Sequence, residues 1–133
     1  MKAVFKYCIY LFLLSFVACT NNKDNPTPAK TVTPLPDTVH FKTDIIPIFT
    51  NYCNNNGCHT GTIPSSRIKL DSADAYSQLM KSGSGYVDTL NPPNSVIYVS
   101  LISVSNPMPP TAKLSDYNIQ LVLKWIQQGA KNK

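Results

Sequence analysis

Cys53-Asn54-Asn55-Asn56-Gly57-Cys58-His59 is the stretch that decides how this chain is read. Two thiols and an imidazole stand within one short loop, spaced Cys-x4-Cys-His. Four intervening residues must bulge between the sulfurs and return. Gly57 reaches φ > 0 without steric cost and sits where the return is tight. Three consecutive Asn suit such a loop, because Asn tolerates left-handed conformations and hydrogen-bonds its own backbone.

Two cysteines followed at once by a histidine form the attachment pattern of c-type haem. Each thiol joins one vinyl group, and the adjacent imidazole lies under the iron. The spacing is two residues longer than the usual Cys-x2-Cys-His. The expectation is one covalent haem c, held by Cys53 and Cys58, with His59 as the proximal iron ligand.

The N-terminus reads as an export signal over residues 1–18. Lys2 and Lys6 give a basic start, and Tyr7 to Ala18 is an apolar run too short to span a bilayer. It ends Phe16-Val17-Ala18-Cys19, which resembles the lipobox of bacterial lipoproteins, with Phe16 where those usually carry Leu. That resemblance implies an acylated Cys19, a lipid bilayer as partner and a membrane-anchored protein facing the periplasm or cell surface. Cys8 then lies in the removed segment. Of the four cysteines, only Cys53 and Cys58 remain for chemistry, in an oxidising compartment.

The net charge of +5 falls to +3 once Lys2 and Lys6 are removed, and all seven acidic residues are Asp. No basic face of the kind nucleic acid requires is evident. Residues 19–39 read as a tether, with Pro26, Pro28, Pro34 and Pro36 among Asn, Thr and Lys and little to bury. The remaining 40–133 form one domain of short helices joined by long loops.

Ile45, Ile48, Phe49 and Tyr52 predict a helix over 44–52, capped by Thr43 or Asp44, with Pro47 tolerated in its opening turns. A second is expected from Ser72 to about Lys81, capped by Asp71 or Ser72 and ended by Gly83, with Ala75, Leu79 and Met80 on its apolar side. A third is expected over 95–102, after Pro92-Pro93-Asn94. The fourth, over 115–128, carries Ile119, Val122, Leu123 and Ile126 in one stripe, widened by Leu121 and Trp125 and terminated by Gly129. The fold class is therefore all-α. A domain this small builds a modest core, and an apolar macrocycle at its centre would enlarge it.

An electron-transfer haem needs a second axial ligand. Met108 lies in Asn106-Pro107-Met108-Pro109-Pro110, a loop stiffened by proline on both sides. A thioether is a soft ligand, and Met paired with His raises the reduction potential. Met80 reads instead as a gap-filler on a helix, and His40 stands beside the tether.

Taken in order, these motifs resemble the small class I c-type cytochromes, specifically the planctomycete-type cytochrome C-like domain. The resemblance is carried by Asp44-Ile45-Ile46-Pro47-Ile48-Phe49, Cys53, Cys58-His59, Leu70-Asp71, Tyr76, Leu79-Met80, Pro92 and Asn94-Ser95-Val96-Ile97-Tyr98. It continues through Met108-Pro109-Pro110 and Leu114-Ser115 to Trp125-Ile126 and Gly129-Ala130. It implies a cytochrome-c-like fold whose first and last helices cross, with haem in a cleft closed by the Met loop. It also implies thioethers at Cys53 and Cys58, iron ligation by His59 and Met108, and electron transfer with a redox partner protein rather than enzymatic turnover. The widened cysteine spacing departs from the family pattern.

Other uses of the same residues stay open at this level. A Cys53–Cys58 disulfide is permitted by compartment and spacing and would make a binding module without haem. Zinc could draw on Cys53, Cys58, His59 and His40 by ligand type, although neighbouring Cys58 and His59 would strain a tetrahedral site. A haem enzyme would need an open distal position, which Met108 argues against. A haem-bearing accessory domain of a larger surface complex needs no further residues.

Overall fold

The structure is a computed structural model that describes residues 33–54, 58–60 and 68–133. The export segment, Cys19, the tether up to residue 32 and Asn55, Asn56 and Gly57 of the loop lie outside the described residues.

Every regular element among the described residues is helical, as an all-α fold requires. A π-helical turn, Phe41–Ile45, runs directly into α1, Ile46–Tyr52. The helical path thus opens three residues before the expected start at Asp44. Phe41 is the reason: its ring is 2% exposed and stacks on Trp125 with centroids 5.0 Å apart. Asp44 still serves the N-terminus, since its Oδ2 accepts from the His40 N–H at 2.6 Å.

The second helix, α2, is Ala75–Leu79, shorter than expected. Asp71 explains the late start. Its Oδ1 accepts from the N–H groups of Ala73 and Asp74, at 3.2 and 3.0 Å, and folds the preceding residues into a turn. A 3₁₀ turn, Pro92–Asn94, leads into α3, Val96–Ile102. The buried Ser95 hydroxyl accepts from the Asp88 N–H at 2.9 Å, tying the start of α3 to the loop before it.

The longest element, α4, is Asp116–Gln127. Ser115 caps it, its Oγ accepting from the Asn118 N–H at 3.2 Å. Its C-terminus closes as a Schellman motif, with Ala130 N–H on the Trp125 carbonyl and Gly129 N–H on that of Ile126, at 3.0 and 2.9 Å. Gly129 takes φ +86°, as that closure demands. Ile119, Leu121, Val122, Trp125 and Ile126 are buried, while Leu123 of the expected stripe is only half-buried.

The core is one cluster in which Phe41 meets Phe49, Tyr76 and Trp125. Edge-to-face and tilted rings at such separations contribute beyond their buried area. The Tyr76 hydroxyl donates to the Ala130 carbonyl at 3.1 Å and the Trp125 indole N–H to that of Lys131 at 3.0 Å. First turn, second helix and last helix are thereby pinned together.

The start of the domain lies earlier than residue 40. Val39 is 5% exposed, and its N–H donates to Gln128 Oε1 at 2.9 Å. Gln128 Nε2 donates in turn to the Asp37 carbonyl at 2.7 Å, and Leu35 packs against the core. Residues 33–39, read from sequence as the end of the tether, belong to the folded unit.

Candidate haem site

Beside the ring cluster lies a cleft with about 590 Å³ of empty space, counted to its open mouth. Phe49 of α1 and Leu79 of α2 form one side; Val96, Ile97, Ser100 and Leu101 of α3 form another. Ile68, Leu70 and Tyr86 complete the walls, which are overwhelmingly apolar. Three side chains that carry chemistry join them: Cys53, His59 and Met108.

Cys53 follows α1 directly, its N–H donating to the Phe49 carbonyl at 2.8 Å. Burial in these apolar surroundings pushes its thiol up from an ordinary 9.0 to about 11, so it stays neutral at physiological pH. Cys58 is half-buried beside His59 and is not among the residues lining the cleft. Both cysteines are thiols and are not joined to each other.

His59 Nδ1 lies 3.0 Å from the Ile68 carbonyl oxygen. A carbonyl only accepts, so Nδ1 carries a proton, and a neutral ring would then have its lone pair on Nε2. This is the arrangement by which a metal-ligating histidine is usually oriented and made more basic. The main chain adds a second tie, with the Leu70 N–H on the His59 carbonyl at 2.8 Å.

Met108 lies 42% exposed at the cleft wall, in the loop after α3. Its N–H donates to the Ser100 carbonyl at 3.0 Å, which stitches the loop back onto the helix. Met80 lies at the C-cap of α2, 38% exposed and outside the cleft lining. The expectation that Met80 fills a core gap is corrected: α2 ends before it, and its side chain faces solvent. His40 is exposed and lines a separate depression with Trp125, Gln128, Lys131 and Lys133. It is not brought to the cleft, and among the described residues no three His, Cys or Asp side chains gather around a possible metal ion.

Of the four residues expected to hold haem c, Cys53, His59 and Met108 lie along this apolar slot and Cys58 does not. The sequence reading missed two participants. Ile68 acts through a main-chain carbonyl, which leaves no mark in a sequence. Asn54 was read only as a loop-former. No family model matches the chain, and neither a curated protein nor a solved structure matches it.

Proposed function

We propose that this chain is an exported monohaem c-type cytochrome, an electron carrier anchored to a membrane through lipidated Cys19. One observation carries the reading: Cys53, His59 and Met108, separated in sequence, line one apolar cleft, and His59 has its Nδ1 proton committed to the Ile68 carbonyl. The class I cytochrome resemblance and the lipobox-like Phe16-Val17-Ala18-Cys19 support it from the sequence side.

Haem c, when bound, supplies a one-electron couple. This chain's own residues do the rest. Cys53 and Cys58 would hold the group through thioethers. His59 and Met108 would ligate its iron, a pair that raises the reduction potential. Phe49, Leu70, Leu79, Ile97 and Leu101 exclude water from the slot, which limits solvent reorganisation. Ile68 keeps the His59 proton on Nδ1. The reading is a carrier serving a redox partner protein, supported by Met108, a soft thioether, at the wall of the slot.

Mass spectrometry of mature protein, made alongside a cytochrome maturation system, tests this. The expected result is one added haem that survives acid–acetone extraction. A colourless chain lighter by two hydrogens would establish the Cys53–Cys58 disulfide and overturn the proposal.

A further inference from the structure

We infer that Asn54 is the positioning residue for His59, acting through the segment Ile68–Leu70. The assignment rests on the haem reading above, but the geometry beneath it does not.

Asn54 is fixed at its main chain. Its N–H donates to the Phe49 carbonyl at 3.1 Å, beside the Cys53 N–H that uses the same oxygen. From that post at the end of α1, Asn54 Nδ2 donates to the Leu70 carbonyl at 3.1 Å. The Leu70 N–H holds the His59 carbonyl, and the Ile68 carbonyl holds His59 Nδ1, at 2.8 and 3.0 Å. Thr60 Oγ1 reaches the Asn54 carbonyl at 3.5 Å and closes the circuit. One carboxamide thus ties α1 to the segment that grips His59 by both backbone and ring.

The other half of that carboxamide sets the sign of its contribution. Asn54 Oδ1 is buried, with no hydrogen-bond partner among the described residues. The orientation is not arbitrary, because the Leu70 carbonyl can only accept and so requires the NH₂ end. A buried unpaired acceptor is costly. It offsets what the donor contributes to stability and leaves a net effect that is mainly positional. Loss of the donor frees Leu70 and Ile68 to drift, loosens the Nδ1–H bond and makes the imidazole a weaker donor to iron. A weaker donor stabilises the oxidised state less, so the reduction potential rises.

Two variants test this in the full-length protein. Asn54→Asp keeps the shape and removes the donor; Asn54→Ala removes the donor and the orphan acceptor together. In reduced protein, the His59 Nδ1–H and Leu70 N–H protons are expected to exchange about five- to tenfold faster in both, the loss of one hydrogen bond. The potential is expected to rise in Asn54→Ala, which unfolds close to wild type; Asn54→Asp adds a charge that itself lowers the potential, so it is read by exchange alone. Wild-type exchange in both variants, or wild-type potential in Asn54→Ala, would overturn the assignment. If the protein purifies colourless, the haem reading fails, and nitrogen NMR of the same chain decides the clamp separately. Predominance of the Nδ1–H tautomer of His59 in wild type, reduced in both variants, supports it; equal tautomer fractions in all three overturn it.

Discussion

The Met108 N–H donates to the Ser100 carbonyl across 3.0 Å, and both residues line the same cleft. The bond holds the proline-rich loop against α3 and keeps Met108 at the cleft wall. Met108→Ala should therefore leave haem attached, since thioethers at Cys53 and Cys58 do not depend on it. The reduction potential should fall, carbon monoxide should bind, and the weak sulfur-to-iron absorption of the oxidised protein should vanish. Met80→Ala should leave that band intact. The reverse pattern would mean that Met80 supplies the sulfur.

The Cys53 thiol gives a pH test of covalent attachment. In haem-free chain the unfolded state loses this proton near 9.0, while the folded state keeps it to about 11. Between those values the folded state binds more protons, so stability falls as pH rises. Below that window the contribution is intact. Denaturant titrations at several pH values should show this slope in haem-free wild type in excess of Cys53→Ala. Haem-loaded protein should lack the excess, because a thioether sulfur has no proton to lose. Parallel curves for haem-free wild type and Cys53→Ala would contradict the buried thiol.

The ends of α4 allow a calibrated stability measurement. Ser115→Ala removes a cap and should cost about 1 kcal/mol. Gly129→Ala should cost about 1–2 kcal/mol from backbone conformation alone, since an added Cβ there would meet nothing within 4 Å. A Gly129→Ala protein as stable as wild type would mean that the Schellman closure is not maintained in solution.

These local devices were legible in the sequence because their chemistry sits within a turn or two of the helix they end. Ser115 and Gly129 mark α4 nearly to the residue. Facing is another matter. Leu121 and Trp125 of the expected stripe are buried but Leu123 is not, because α4 turns Trp125 toward Phe41, a partner far away in the chain. The same distant partner explains why the helical path begins at Phe41 rather than at Asp44. At the site, Cys53, His59 and Met108 could be picked from sequence because their side chains are chemically distinctive. Ile68 could not, because its role belongs to a carbonyl that every residue carries. Asn54 could not be told from Asn55 and Asn56 without knowing that the Leu70 carbonyl lies within its reach.

Anchoring is tested by fractionation. Cys19→Ala should move the protein from the membrane to the soluble fraction, because stable attachment needs the several acyl chains of a lipoprotein. Unchanged membrane association would point to an uncleaved N-terminal segment or to a protein partner instead.

The Gln128 carboxamide, which receives from Val39 and gives to Asp37, bears on how such an anchored domain would carry load. A pull entering through Thr33 reaches this clasp before it reaches Phe41 or α1. Tension is handed to the end of α4, where the Schellman closure and the Trp125–Lys131 bond already brace the chain. In a tethered domain the clasp would act as strain relief, taking up a pull at the root before it reaches α1 and Cys53.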